Sequence, residues 1–179
     1  MLRGFCFGFC GIVVLFGMIY FASDRVVREP WQRFSNSYIS FNLPPGWECN
    51  SSGTEFVCED VASGDQELAL FVLTAKQVGP MDNFDNYQAY LQTPKTMTLE
   101  NDEEALQSVV EELEIREISG EDWVFSQHLN SELPAFHTQY FATVRKDVAV
   151  LVTYSYHKDA PRRLHEIGEQ AATSFIILN

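Results

Sequence analysis

Residues 123–157 read WVFSQHLNSELPAFHTQYFATVRKDVAVLVTYSYH. Three runs dense in β-branched and aromatic side chains, 123–130, 135–145 and 149–157, are parted by two short polar stretches. Val, Phe and Tyr suit the packed, pleated surface of a sheet. So short a connection reaches only an adjacent antiparallel strand, because a parallel one needs a crossover of a dozen residues or more. The segment therefore predicts a three-strand meander. Just beyond it, Asp159 caps an expected helix that tolerates Pro161 in its first turn. Leu164, Ile167, Ala171 and Phe175 give that helix one apolar stripe.

Toward the N-terminus the pattern is again strands in succession. Residues 38–43 alternate and stop at Pro44-Pro45-Gly46, and 47–50 with 54–61 flank a polar turn as a hairpin. Leu68 to Leu73 lie in an unbroken apolar run, read as a central strand within 67–75 buried on both faces. Asp82 or Asn83 caps a helix with Phe84, Tyr87 and Leu91 on one stripe, ending before Pro94. Asn101 with Glu104 has the form of a capping box opening a short helix through Val110, after which Leu113-Glu114-Ile115 switches to period two. Without regular strand–helix alternation, the class is α+β, a mainly antiparallel sheet flanked by helices. The opening strand, with Phe41, Leu43, Pro44, Gly46 and Trp47 as F-x-L-P-x-G-W, resembles the PsbP-like superfamily of PsbP, Mog and DcrB types over about residues 38–177. That resemblance implies an α/β/α sandwich and a binding or assembly role rather than catalysis. It carries over no functional residue.

The 179 residues carry a net charge of −13, which disfavours nucleic acid and anionic lipid headgroups as partners. From Phe34 onward 23 acidic residues face 8 basic ones, with ten carboxylates between Glu100 and Asp122. That block reads as a solvated face, since no calcium-loop pattern accompanies it. From Gly4 to Ala22 there is no charge, and 19 residues at ~1.5 Å each span roughly the hydrocarbon layer. A cleaved signal peptide has the same positive start, but here bulky Tyr20 and Phe21 stand where small residues are wanted. The expected layout is a transmembrane signal-anchor (1–23), a juxtamembrane linker (24–37) and an α+β domain (38–179). Counting Arg25, Arg28 and Arg33 favours a domain inside, whereas the cysteines argue for one outside the cytoplasm, which is the expectation adopted. Cys49 and Cys58 flank the hairpin turn and would face each other at near-disulfide distance, a bridge that persists only in an oxidising compartment. Two unbonded core thiols are the alternative.

No nucleophile elbow, phosphate loop, dinucleotide fingerprint or zinc-protease motif is present, so no cofactor and no catalytic residue are expected. The histidines form the one constellation. Placing Leu129 opposite Phe136 sets His128 opposite His137, and placing Val144 opposite Val150 sets His137 opposite His157. Three imidazoles in a row would make a pH-sensitive or metal-binding patch. A slip of one residue destroys the row, and strands ~4.8 Å apart leave its outer members near 10 Å, too far to share an ion easily. The aromatics Phe84, Tyr87, Tyr90, Trp123, Phe125, Tyr140, Tyr154 and Tyr156 read as core, with a ligand cleft as the minor alternative. The expected function is a membrane-anchored, non-catalytic accessory protein that binds protein partners in a membrane complex. The alternative is an envelope protein binding a small apolar or cationic ligand.

Overall fold

The computed structural model describes residues 30–52, 54–61, 68–98 and 105–178. In chain order the strands are β1 (Gln32–Ser35), β2 (Ile39–Leu43), β3 (Trp47–Ser52), β4 (Glu55–Asp60) and β5 (Ala69–Gln77). Helix α1 (Phe84–Leu91) and the two-residue strands β6 (Thr96–Met97) and β7 (Leu106–Gln107) follow. The rest is β8 (Val109–Ile118), β9 (Glu121–Leu129), β10 (Phe136–Arg145), β11 (Val148–His157), α2 (Arg162–His165), α3 (Ile167–Ala172) and β12 (Ile176–Ile177). Seven strands make one antiparallel sheet in the order β3-β4-β5-β11-β10-β9-β8, and β1, β2 and β12 make a small second sheet.

Both faces of the large sheet are used. On one face Phe71, Leu73, Trp123, Phe125, Phe141, Val152 and Tyr154 are buried together with Ile39, Phe41, Leu164, Ile167, Ala171, Phe175 and Ile177 from the small sheet and from α2 and α3. Phe175 sits at the centre, its ring 5.2–5.5 Å from those of Phe41, Trp123 and Phe141. Each such side chain contributes about 1.5–3 kcal/mol by leaving water, so this layer dominates the stability. On the other face, among the described residues, α1 packs and buries Leu91 against Val124, Tyr140 and Ala142. Asn83 caps α1, its side chain accepting from the Asn86 amide, as one of the two residues expected in that role.

The meander and its successors form, with three differences from the sequence reading. The expected helix through Val110 is instead β7 and β8, while its capping-box residues lie outside the described residues. Leu106 and Gln107 pair with β6, and Val109 and Val110 already pair with β9, so the period-two pattern expected from Leu113 onward starts earlier than the sequence reading placed it. Asp159 caps nothing: the closing helix starts at Pro161 without a side-chain cap and breaks at Glu166 into α2 and α3. The whole apolar stripe is nevertheless buried. Part of the expected linker, Gln32–Ser35, pairs with β2 as a strand. The expected transmembrane segment lies outside the described residues, and among those described no helix is long and apolar enough to cross a membrane.

Candidate partner-binding trough

The expected histidine row does not form, because both registers are one residue away from those assumed. His128 stands opposite Thr138 and His137 opposite Leu129, while His137 meets Tyr156 and Phe136 meets His157. The β10–β11 connection has two residues, not three, since Arg145 pairs with Val148 and Lys146 turns the chain at φ 53°. His137 therefore points to the main core side and the other two to the α1 side. His137 Nδ1 lies 2.8 Å from Glu111 Oε2, and its ring stacks on Tyr156. His157 sits at the end of β11, its Nδ1 accepting from the Asp159 amide. His128 is fully buried, its Nε2 2.8 Å from the Leu91 carbonyl at the end of α1 and 2.9 Å from Ser126 Oγ. Burial holds its pKa below the ordinary imidazole value. Among the described residues no group of His, Cys, Asp and Glu is placed to hold a metal ion. Cys49 and Cys58 are opposite each other in β3 and β4 and are joined as a disulfide. The polar turn between two alternating strands is what places them so.

What the fold does assemble is an open trough on the α1 side. Leu70 and Val72 of β5 and Leu151 of β11 form an apolar floor, with Thr74, Thr153 and Ser155 beside them. Glu55 stands on one wall, while Tyr90, Glu132, Leu133 and Tyr140 form the other, around about 410 Å³. A second hollow of about 400 Å³, lined by Met81, Asn86, Tyr87, Tyr90 and Leu151, continues it along α1. Met81, Tyr90 and Leu133 are 75%, 53% and 37% exposed, Leu133 on the first hollow, Met81 on the second and Tyr90 shared by both. Tyr90 is exposed because the stripe Phe84, Tyr87, Leu91 faces the sheet and position 90 falls outside it.

The wall at Tyr90 is electrostatically built. Tyr140, buried on β10, donates its hydroxyl to Glu132 Oε1 at 2.5 Å, with Ser131 Oγ at 2.8 Å. Burial and the Glu132 charge push both the Tyr140 and the Tyr90 phenols up. Lys95 reaches back to α1, donating to the Tyr90 carbonyl at 2.7 Å with Nζ only 2.8 Å from the Tyr90 ring centroid. Burial lowers the Lys95 pKa to about 8, against the pull of Glu132. Of the aromatics that the sequence suggested for a cleft, Tyr87, Tyr90 and Tyr140 line this trough and the others pack in the cores. Lys95, Glu132, Met81 and Leu133 were not singled out; Met81 and Leu133 are apolar side chains in turn-forming stretches, and Lys95 and Glu132 carry no local sequence signal.

A separate cavity of about 520 Å³ lies between β8 and α3, beside Arg116 and Glu169. There Arg116 covers the Phe125 ring at 3.4 Å and grips both oxygens of Glu169. Glu112 and Glu114 pair with it too, so its charge is consumed internally.

An antiparallel sheet packed on one face by the closing helices and on the other by one mid-chain helix defines the PsbP-like fold. No family model matches the sequence, and no curated protein matches it either. Solved structures do. Cyanobacterial PsbP (CyanoP) from Synechocystis aligns with a TM-score of 0.58 and 14% identity, over 95% of this chain and 98% of that one. The Ran-binding protein Mog1p of Saccharomyces cerevisiae aligns with a TM-score of 0.51 and 8% identity, over 84% and 97%. A Bacteroides thetaiotaomicron protein aligns with a TM-score of 0.55 and 14% identity over 83% of this chain, which spans only 49% of it. At such identities the likeness is one of fold.

Proposed function

We propose that this chain is a non-catalytic accessory protein whose α+β domain binds protein partners in a membrane complex. Residues 4–22 hold it in the bilayer and the domain lies outside the cytoplasm. The observation that carries partner binding is the trough: Met81, Tyr90 and Leu133 project beside an apolar sheet floor left open among the described residues. Exposed apolar side chains grouped over acidic walls are costly to leave in water and mark a contact surface. Mog1p, of similar fold, is described as Ran-binding, which supports a binding use of this architecture. An anchor would raise the local concentration of the domain beside membrane partners without adding any contact.

The test is affinity purification of the full chain after mild detergent extraction. Recovery with a larger membrane complex is expected, and Met81→Asp along the trough should reduce that recovery severalfold. Monomeric recovery of the native chain would overturn the proposal. Labelling of intact cells with an impermeant thiol reagent after reduction should reach the partly exposed Cys49, whereas Cys58 is buried in the fold; shielding of Cys49 that is lifted only by permeabilising the cells would reverse the location. The volume and carboxylates of the trough favour one second reading, a small apolar or cationic ligand, which would raise the thermal midpoint of the purified chain.

A further inference from the structure

We infer that the trough recognises a basic segment of the protein partner, through a lysine or arginine side chain that replaces Lys95 over Tyr90 and against Glu132. The inference rests on the partner-binding reading and specifies its chemistry. A cation over a phenol ring is held by the ring's negative face, and more strongly where water is partly excluded. Here that position is already taken by the chain's own ammonium, Lys95 Nζ over Tyr90, so the ring demonstrably accommodates a cation. Glu132, which takes the Tyr140 hydroxyl, fixes a negative charge on the same wall, and Glu55 stands on the opposite one. The net charge of −13 draws a basic segment toward the domain from a distance. Leu70, Val72 and Leu151 offer apolar floor to the neighbouring side chains of that segment. Lys95 thus acts as a built-in competitor: half-buried, held by the Tyr90 carbonyl, the Tyr90 ring and the charge of Glu132, and displaced into solvent when a partner's cation arrives.

The test uses the full chain in nonionic detergent with its methionine methyls carbon-13 labelled. The probe is a capped pentapeptide of alternating arginine and leucine. Met81, on the trough, should shift saturably, and Met97, in β6, should not. Glu132→Gln should weaken binding about fivefold or more, as loss of a charged partner does. Lys95→Met should tighten it about threefold to tenfold by removing the competitor. Raising pH from 7 to 9 takes Lys95 from about nine-tenths to about one-tenth charged, given its pKa of about 8. The arginine probe stays charged, so native affinity should rise over that range while Lys95→Met stays flat. The groups facing Lys95 are Tyr90 of α1, Glu132 of the β9–β10 loop and His128 of β9, with Tyr140 of β10 hydrogen-bonded to Glu132. Unchanged or weaker binding by Lys95→Met would overturn the inference, as would equal binding of the glutamate–leucine counterpart. Equally tight binding of n-hexylamine would reassign the site to small amines and overturn it too. A membrane complex that is recovered while the probe fails to bind would sink this inference alone, leaving partner binding standing.

Discussion

Gly168 is the point at which the closing helices touch the sheet, and its replacement by alanine should destabilise the domain despite improving a helix. A Cβ there would lie 2.0 Å from Gln139 Oε1, 2.7 Å from Tyr154 Cδ1 and 3.1 Å from Tyr154 Cγ. Gln139 can rotate away. Tyr154 cannot, because its ring packs on Phe71 and Trp47 and its hydroxyl donates to the Leu164 carbonyl at 2.6 Å. Relief therefore requires α3 to lift by about 0.7 Å to reach ordinary contact at about 3.4 Å, and a gap of that size forfeits a quarter to a half of each dispersion contact. Ile167, Ala171 and Phe175 all lose packing, for about 3 kcal/mol, the upper end of what overpacked cores lose. Alanine returns about 1 kcal/mol through its helix propensity, so the net loss is about 2 kcal/mol. Urea unfolding of the full chain in detergent, followed by tryptophan fluorescence, measures it directly, and the thermal midpoint should fall by about 4–8 °C. A Gly168→Ala chain as stable as the native one would show that close approach of α3 to Tyr154 does not hold this layer in place.

Three further perturbations follow from other parts of the fold. Cys58→Ser releases a bond that closes a sequence separation of 9 residues. By chain entropy it should cost about 2–3 kcal/mol, read as a lower urea midpoint that the native chain matches only after reduction. His128 is buried with its pKa lowered, so the unfolded chain binds its proton more readily. Its contribution is complete above about pH 6.5 and drains away as pH falls toward the folded value, at no more than about 1.4 kcal/mol per pH unit. The difference in unfolding free energy between the native chain and His128→Gln should shrink from pH 7 to 5, and a difference independent of pH would refute a buried neutral imidazole. Arg116→Ala uncovers the Phe125 ring and leaves Glu112, Glu114 and Glu169 without their shared cation. A loss of about 1–2 kcal/mol is expected for so partly exposed a cluster, and only part of it should vanish in 0.5 M salt, because the ring contact persists.

The hairpin of Cys49 and Cys58 and the α1 stripe were legible because each carries a single clear period, and strands β9 to β11 because short polar turns part them. The face of β10 was not. Phe136, Tyr140 and Val144 suggested one apolar side, whereas Phe141 and the buried Gln139 occupy the main core side. Six consecutive residues of β10, Thr138 to Thr143, are buried. A strand covered on both faces has no polar side to mark its orientation. With the orientation free, the register was free by one residue, and the histidine row depended on that residue. Likewise the described part of the acidic run before β9 is exposed, as a solvated face should be, and its period-two stretch at Leu113-Glu114-Ile115 was read, but the start of the strand was placed after Val110 instead of at Val109. A glutamate-rich edge strand protects its open side by charge, and charge says nothing of helix or sheet.

The trough has a geometric origin that also explains why it was hidden. Helix α1 has 8 residues, about 12 Å of length at ~1.5 Å each, and it packs on β9 and β10. Strands ~4.8 Å apart place β4 and β5 well beyond its reach on the far side of β11. On the core side β5 buries Ala69, Phe71, Leu73 and Ala75 almost completely, while on the α1 side Leu70 and Val72 remain partly exposed. The unbroken run Leu68 to Leu73 therefore describes a strand with two apolar faces of which the described residues of the chain cover only one. Composition records that a face is made to be covered, not by what. Apolar residues on the second face of β5 are selected by contact, whether the contacting layer belongs to the same chain or to another. An intramolecular helix and a partner's segment leave the same mark in the sequence, and only the placement of α1 separates them.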